Sequence, residues 1–161
     1  MRCVIQRVSE ARVVVEGQIV GEVGAGLLVL VCALLGDTPR EARRLAERVA
    51  GYRVFPDAEG RMNLSALDRG LPILVVSQFT LAADGRKGRR PSFDAAAPPA
   101  EGRALVECFR ASLQRLGIQT EAGVFGAAMR VELVNEGPAT FVLEDPPQAA
   151  PGGAPTSQVV A

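Results

Sequence analysis

Residues 77–93, SQFTLAADGRKGRRPSF, place hydroxyl and amide side chains directly before a run of positive charge. They begin where an apolar run ends, so Ser77 and Thr80 are expected at the end of a buried strand. Such polar groups beside a phosphate-sized cationic cluster could hold the reactive end of a phosphorylated substrate. A plainer interpretation has strand hydroxyls bonded to backbone and a solvated charge run. The basic residues are Arg86, Lys87, Arg89 and Arg90.

Residues 133–141, LVNEGPATF, interrupt a predicted strand with Gly137 and Pro138. Proline cannot donate a ladder hydrogen bond and glycine weakens a strand, so the pair indicates an edge, a bulge or a tight bend. A plain turn is one interpretation. The other is a cis peptide bond, which would point successive carbonyl oxygens to one side, where they could accept hydrogen bonds from an ammonium group.

A third stretch, GVFGAAM, contains Phe125 and Met129. These side chains could line an apolar pocket for a base or another ring. Packing in the hydrophobic core would use the same residue types, so core packing stays open as the alternative to a binding pocket.

The chain contains no histidine. This excludes Ser-His-Asp and Cys-His catalysis, histidine general bases and most zinc sites. Proton transfer must therefore come from elsewhere, and we expect neither a metal nor a cofactor. Eighteen basic and eighteen acidic residues give no net charge, which disfavours a general polyanion-binding protein and DNA as a partner, so any nucleic-acid contact must be local.

Cellular location is predicted from charge spacing and cysteine use. The opening MRCVIQRV carries a charge every few positions, and no apolar run approaches the roughly 18 residues that a membrane helix needs. We therefore expect a cytoplasmic protein without a membrane partner. Cys3, Cys32 and Cys108 are odd in number and far apart, so we expect buried, inert thiols rather than disulfides or a metal site.

The periodicity predicts an α+β fold in a single domain, residues 1–145. Gly-rich turns at residues 16–17 and 24–26 interrupt the apolar runs CVIQRV, ARVVV, QIVGEV and GLLVLVCALL, and later runs include YRVF, RMNLS, PILVVSQFTLA, IQTE, MRVELV and TFVLE. These runs predict a mostly antiparallel β-sheet or barrel. Two α-helices are expected to cover it, one begun by a capping box at Thr38 and Glu41, the other over residues 99–116. The Pro/Gly/Ala-rich tail, residues 146–161, is predicted to be disordered.

In order and spacing, these motifs resemble the D-aminoacyl-tRNA deacylases, also called D-tyrosyl-tRNA deacylases. The resemblance covers Met1 to about Glu144 through MRCVIQRV, GDT, MNLS, SQFTL, RKGRRPSF, FGAAM and NEGPAT. SQFT together with NxGPxT is the most specific pair. The departures are Cys3, Glu136 and Ala139, where Ala, Asp and Val are common in the family, and the additional tail.

The resemblance implies a cytoplasmic homodimer with active sites at the subunit interface. It would hydrolyse the ester between tRNA and a D-amino acid, or glycine mischarged on tRNA-Ala. In the family the Gly-Pro pair is cis and reaches into the partner's pocket, so Gly137 and Pro138 become the expected chiral gate. An L side chain would collide with the gate, and rejection by collision discriminates better than a missing contact. The other substrate-binding residues implied are Asn135, Thr140, Phe125 and Met129.

Catalysis is expected at SQFT. The backbone N–H groups of Phe79 and Thr80 are expected to form an oxyanion site, with Ser77 and Gln78 orienting the substrate. The resemblance implies that the 2′-hydroxyl of tRNA assists, which fits a protein without a general base. Arg86, Lys87, Arg89 and Arg90 are expected to contact acceptor-stem phosphates. Two alternatives stay open: a small-ester hydrolase with Thr80 as nucleophile, and a non-enzymatic dimer that binds adenosine or another nucleotide.

Overall fold

A computed structural model describes residues 1–86 and 88–145, so Lys87 and the predicted tail lie outside the described residues. The described chain is α+β, and the predicted fold class is confirmed. Its strands and helices are β1 (Arg2–Val15), β2 (Gln18–Val23), β3 (Gly26–Cys32), α1 (Pro39–Ala50), β4 (Phe55–Pro56), β5 (Met62–Leu64), α2 (Ala66–Arg69), β6 (Ile73–Ser77), a 3-10 helix (Phe79–Ala82), α3 (Pro99–Arg115), β7 (Thr120–Ala122) and β8 (Arg130–Glu144).

Six strands form one sheet in the order β2-β1-β3-β6-β7, with β8 also paired to β1. The pairs made by β1 are antiparallel, whereas β3–β6 and β6–β7 are parallel. The sheet curls until β2 meets β7. A Cβ on Gly21 would lie 2.5 Å from the carbonyl oxygen of Ala122, so only glycine permits this approach of two backbones. The sheet is therefore a nearly closed barrel.

The two faces of the sheet bury separate apolar clusters. The face under α1 and α3 buries the larger one, which includes Cys3, Ile5, Val29, Leu45 and Phe109. The barrel interior buries the smaller one, made of Val8, Ala11, Val13, Val23, Leu28, Leu74 and Val76. Because β1 contributes to both clusters, it links the helical layer to the barrel.

Helix α1 begins with the predicted capping box. The Thr38 hydroxyl accepts a hydrogen bond from Arg40 N, and the Glu41 carboxylate accepts one from Thr38 N. The bond from the Thr38 hydroxyl is the main reason why the pKa of Glu41 lies below its ordinary value. A short helix, α2, accompanies the two long ones that the sequence predicts. No helix in the described residues is both long and apolar enough to cross a membrane.

One predicted strand is too long. PILVVSQFTLA was expected to form a single strand, but β6 ends at Ser77 and residues 79–82 form a 3-10 helix. Gln78 N still bonds to Val31 O at 2.8 Å, and the chain then leaves the sheet. The apolar residues Phe79, Leu81 and Ala82 continue the hydrophobic run, so composition alone does not mark the point where pairing stops.

Two of the three thiols are buried as expected, and Cys108 is only half-buried. Desolvation by burial raises the pKa of Cys3 to about 12 and also raises the pKa of Cys32. Both thiols are therefore protonated at neutral pH and poor nucleophiles.

Candidate active site

The SQFT and FGAAM motifs meet at one pocket of about 250 Å³. The pocket lies between the carboxyl end of β6 and the loop that joins β7 to β8. It brings the predicted residues Ser77, Gln78 and Phe79 together with Phe125 and Met129. Its other lining residues, which the sequence analysis did not single out, are Val76, Gly126, Ala127 and Val131.

The end of β6 fixes the reactive side of the pocket. Ser77 pairs with Val31 on β3, and the 3-10 helix follows immediately. The backbone N–H groups of Phe79 and Thr80 stand at the start of that helix, where no preceding turn supplies carbonyl partners. Neither N–H group makes a hydrogen bond to another described residue. They are thus available to an oxygen of a bound molecule.

The Thr80 hydroxyl accepts a hydrogen bond from the Gln78 side-chain amide. No carboxylate, lysine or arginine hydrogen-bonds to this hydroxyl within the described part of the chain. Thr80 therefore lacks the adjacent base that an activated hydroxyl nucleophile requires. Behind the motif, the buried Cys32 thiol points at the Phe79 carbonyl oxygen, 3.6 Å away.

Phe93 stacks against Phe79 at the pocket mouth, a contact that the sequence analysis missed. The two rings meet edge-to-face, with centroids 5.1 Å apart and an interplanar angle of 64°. Phe79 nevertheless remains 60% exposed. RKGRRPSF contains Phe93, but nothing in sequence spacing pairs it with a residue fourteen positions earlier. The contact arises because residues 88–97 fold back toward the 3-10 helix, where Ser92 pairs with Asp84.

The opposite wall is built by Phe125 and Met129. The Arg103 guanidinium lies 5.1 Å from the centroid of the Phe125 ring and donates a hydrogen bond to the Phe125 carbonyl oxygen at 3.4 Å. Gly123 makes room for Met129, since a Cβ there would lie 2.6 Å from the Met129 sulfur. This wall therefore depends on an arginine and a glycine that lie outside the motif itself.

Residues 135–140, the gate loop, lie elsewhere on the chain. On β1, Gln6 pairs with Thr140 and Val8 with Asn135, so residues 136–139 bulge opposite Arg7 alone. The Gly137–Pro138 peptide bond is cis, and both residues are exposed. The predicted interruption of the strand is therefore a bulge in β8.

Hydrogen bonds fasten only the base of the gate loop. The Gln6 amide donates to Asn135 Oδ1 at 3.3 Å and to Thr140 Oγ1 at 3.4 Å. Arg7 Nε donates to the Glu136 carbonyl oxygen at 3.2 Å, and Arg7 Nη1 donates to the carbonyl oxygen of Val54. The side of the loop that carries Gly137 and Pro138 is left facing outward.

The structure does not bring the gate loop and the pocket together within one chain. The loop lies beside Arg7, whereas Ser77 shares a cross-strand row with Val31 and Cys3. Four residues along β1 separate these rows by about 13 Å, and three strand spacings from β8 to β6 add about 14 Å across the sheet. None of residues 135–140 lines the pocket.

The basic loop is only partly available for phosphates. Arg86 forms a bidentate pair with Asp84, with Nη2 2.7 Å from Oδ2, and this hydrogen-bonded arginine lowers the pKa of Asp84 to about 2. Arg89 and Arg90 are exposed, and Lys87 lies outside the described residues. Among the described residues, no group of acidic or cysteine side chains is arranged to hold a metal ion.

Comparison with known proteins decides the family. A family model described as D-Tyr-tRNA(Tyr) deacylase matches residues 4–144. The chain belongs to this family. The resemblance carried by the motifs is thereby confirmed, and the deacylase family supplies close relatives. A D-aminoacyl-tRNA deacylase of Halorhodospira halophila is 61% identical over 151 residues, covering 93% of this chain and 98% of that protein. One from Dinoroseobacter shibae is 58% identical over 144 residues, covering 89% and 99%.

Solved structures agree with the fold. A structure described as c-Myc DNA unwinding element binding protein superposes with a TM-score of 0.84 at 36% identity, covering 91% of this chain and 99% of that one. A probable eukaryotic D-amino acid tRNA deacylase superposes with a TM-score of 0.77 at 19% identity, covering 88% and 97%. The second likeness concerns the fold alone.

Proposed function

We propose that this chain is a D-aminoacyl-tRNA deacylase, a carboxylic ester hydrolase that releases free tRNA and a D-amino acid. The coarse activity is supported by membership of the family and by relatives of that name along nearly the whole chain. The observation that best supports the location of the chemistry is the pocket shared by SQFT and FGAAM, beside two backbone N–H groups that have no partner among the described residues.

The terminal adenosine of tRNA is proposed to occupy this pocket. Phe79, Phe125 and Met129 offer the apolar and aromatic surface on which an unstacked base binds. The Ser77 hydroxyl and the Gln78 amide offer hydrogen bonds to the ribose or to the ester. This arrangement would place the ester beside the 3-10 helix, where the backbone N–H groups of Phe79 and Thr80 have no hydrogen-bond partner among the described residues.

The catalytic step is proposed to be attack of water on the ester carbonyl carbon. The two N–H groups would stabilise the oxyanion, after which the carbon–oxygen bond to the ribose breaks and the ribose oxygen takes the proton that the attacking water releases. The chain has no histidine, and no base hydrogen-bonds to Thr80 within the described residues. We therefore assign the assisting role to the 2′-hydroxyl of the substrate. Thr80 then has no covalent role, so Thr80→Ala should retain substantial activity.

The gate is proposed to act between subunits of a homodimer. One cross-strand row, Val142–Val4–Leu30–Val76, joins the gate-loop strand to the pocket across four strands. Directly paired residues share a face of the sheet, and Val142 on this row is 61% exposed. Val4 and Leu30 on this row are half-buried and Val76 is buried. A second copy that covers the exposed end of the row, at Val142, would deliver its own gate loop to this pocket.

In that arrangement the gate selects chirality by obstruction. Backbone carbonyl oxygens of the partner's gate loop would hold the ammonium group and crowd the Cα atom. An L side chain would then collide with the loop, whereas a D side chain or the hydrogen of glycine would not. Steric exclusion of the L enantiomer discriminates more strongly than the loss of a favourable contact would, because a lost methylene contact changes specificity by only about 1 to 3 kcal/mol. Glycine mischarged on tRNA-Ala is accordingly a proposed second substrate.

A time course on matched substrates tests the proposal. D-tyrosyl-tRNA and glycyl-tRNA-Ala should be deacylated, and L-tyrosyl-tRNA should survive. Equal rates on the D and L substrates would refute the gate, and no release from either would refute the deacylase. Thr80→Ala separates the mechanism from the small-ester hydrolase, which would lose all activity, and wild-type adenosine binding without amino-acid release would indicate a non-enzymatic module.

Mixing subunits tests the dimeric site directly. A gate variant, Gly137→Val, and a pocket variant, Phe125→Asp, should each be inactive alone. After joint refolding, half of the dimers are mixed, and each mixed dimer holds one intact site, so about a quarter of wild-type activity should return. No recovery in mixed dimers, verified by mass, would show that both elements act within one subunit.

A further inference from the structure

A second cleft of about 370 Å³ runs beside the pocket along α3, and the two share Ser77 and Phe125. We call it the α3 cleft; its remaining lining is Val75, Arg103, Val106, Glu107, Arg110, Ala122 and Gly123. We propose that the α3 cleft binds the phosphodiester that joins the terminal adenosine to the preceding nucleotide, with Arg103 as its cation. This inference rests on the proposed function, because it takes the adenosine to lie in the pocket.

The charge of the α3 cleft suits an anion. Two arginines and one glutamate line it, and Arg110 is paired with that glutamate, Glu107, at 2.8 Å. Arg103 forms no ion pair with another described residue. The uncompensated positive charge of the α3 cleft is thus placed on Arg103, on the side nearer to Phe125.

A larger cleft elsewhere on the sheet is lined mainly by acidic side chains. It measures about 420 Å³ and lies between β1, β2 and β8, where it is lined by Glu10, Glu22 and Glu132 with a single arginine, Arg12. That arginine is paired with Glu132 at 2.6 Å. A polyanion would be repelled by these carboxylates, so the larger volume does not make this cleft the better phosphate site. Charge favours the α3 cleft instead.

Arg103 is held in a geometry that leaves it able to bind phosphate. Its guanidinium lies over the Phe125 ring, and one hydrogen bond reaches the Phe125 carbonyl oxygen. A guanidinium has five N–H donors, so this contact leaves donors for the oxygens of a phosphodiester. Because the Phe125 ring also lines the pocket, a base against one part of the ring would place its 5′ phosphate near the cation beside it.

The basic loop is the weaker candidate for this nearest phosphate. Arg86 already forms a bidentate pair with Asp84, and neither Arg89 nor Arg90 lines the pocket or the α3 cleft. We keep the basic loop as the proposed contact for phosphates further along the acceptor stem. The first phosphate before the adenosine is assigned to α3.

Two short substrates test the subsite. One is D-tyrosyl-adenosine, and the other is D-tyrosyl-cytidylyl-adenosine, which adds one nucleotide and one phosphodiester. Wild type should show a higher kcat/KM on the dinucleotide, and Arg103→Gln should reduce this preference about fivefold, the size of a single exposed ion pair. The salt dependence of the preference should also fall by about 0.7 in logarithmic slope. A change transmitted through Phe125 would alter kcat/KM for both substrates by the same factor. It therefore cancels in the ratio of the two kcat/KM values.

Matched variants identify charge as the cause. Arg103→Lys should keep most of the preference, whereas Glu107→Gln should increase it by releasing Arg110. Arg69→Gln, on α2 and outside both clefts, should leave the preference unchanged. The proposal is overturned if Arg103→Gln keeps the full preference, or if Arg103→Lys loses as much as Arg103→Gln.

Failure of the subsite and failure of the deacylase are distinguishable. If wild type hydrolyses neither ester, the proposed function fails. The subsite is then tested by calorimetric binding of uncharged cytidylyl-adenosine and of adenosine at two salt concentrations. Tighter, salt-sensitive binding of the dinucleotide that Arg103→Gln weakens would support the subsite, and equal binding of the two ligands would overturn it.

Discussion

The pocket and the gate loop are held by the chain in opposite ways. The pocket is framed by a buried strand, a 3-10 helix and two aromatic contacts, Phe79 with Phe93 and Arg103 with Phe125. The gate loop is fastened at its base by Gln6 and Arg7, and its residues Gly137 and Pro138 are exposed. The pocket is lined by packed side chains, whereas the gate loop leaves Gly137 and Pro138 exposed.

Because of this contrast, substitutions in the two regions should affect stability and activity differently. Changes in the pocket should alter packing and substrate affinity together, because its walls are shared with the fold. Changes in the gate loop should alter activity with little effect on the free energy of unfolding. The predictions below test that separation, beginning with the largest expected effect.

Val142→Asp should abolish most activity by preventing dimer formation. The side chain is exposed in the single subunit, so the fold should survive, but a carboxylate in the apolar row would be buried without a partner in the dimer. We expect a monomer by sedimentation and at least about a 100-fold loss of kcat/KM, from a penalty of several kcal/mol. Ile19→Asp, at a comparably exposed apolar site with 51% exposure, is the control; equal damage from both would remove the row from the interface.

Gly137→Ala should reduce activity on D-tyrosyl-tRNA by about 10- to 100-fold, the cost of one extra methyl group in a tight site. Its own subunit has room, since the nearest atom to an added Cβ is Asn135 Nδ2 at 3.6 Å. The melting temperature should therefore stay near that of wild type. Gly24→Ala, where an added Cβ meets nothing within 4 Å, is the control; unchanged kinetics for Gly137→Ala would refute the gate.

Gly123→Ala should raise KM about 5- to 20-fold and cost about 1 kcal/mol of stability, because the new methyl group displaces a pocket wall. Its Cβ would lie 2.6 Å from the Met129 sulfur, and this flexible side chain must move toward the bound base. Pairing the change with Met129→Ala should restore much of the affinity by making space again. A rise in KM that the double variant retains would place the defect elsewhere.

Asn135→Ala should lower the ratio of the hydrolysis rates of D-aminoacyl and L-aminoacyl esters about threefold to tenfold. The substitution removes hydrogen bonds worth about 1 kcal/mol each from the base of the gate loop. Asn135 Oδ1 accepts from Gln6 and from Thr140, so the loop loses part of its orientation. Asn63→Ala, which removes a surface bond to Arg53, serves as the control. A preserved ratio would show that the Arg7 bonds alone orient the loop.

Thr38→Ala is a reference substitution outside both the pocket and the gate loop, and it should affect stability alone. Removing the cap should cost about 1 kcal/mol of unfolding free energy without changing kcat or KM. Because the cap lowers the folded-state pKa of Glu41, its contribution is present above the ordinary carboxyl pKa and is lost as the pH falls through the lower folded-state value. The stability gap between variant and wild type should therefore shrink in acid, and a gap that grows would contradict the assignment.

Much of the fold was predictable because local rules agree with the tertiary result. Alternating apolar residues, Gly-rich turns and the capping box at Thr38 each act over a few neighbours, and each appears in the structure as expected. The strand predicted through Phe79 was wrong past Ser77. Its end is set by the loss of a pairing partner, which a hydrophobic run does not encode.

The residues of the candidate site were predictable from their motifs, but their neighbours were not. SQFT and FGAAM were singled out, whereas Phe93, Arg103 and Gly123 gave no signal of their own. Phe93 and Arg103 act through contacts made when separate elements fold against the motifs, whereas Gly123 lies two residues before FGAAM in the same loop and makes room for Met129. The contacts of Phe93 and Arg103 depend on the packing of residues 88–97 and of α3, for which spacing along the chain gives no measure.

The sequence alone determined the chemistry available to this protein: no histidine, no net charge, the polar motif SQFT, the apolar motif FGAAM and a Gly-Pro interruption. These are properties of composition and local spacing, so they exist before folding. Only the tertiary structure decided that SQFT and FGAAM share a pocket while the gate loop lies about 13 Å along the strand from the row of Ser77. Strand register sets those separations, and register is fixed by pairing between distant segments of the chain.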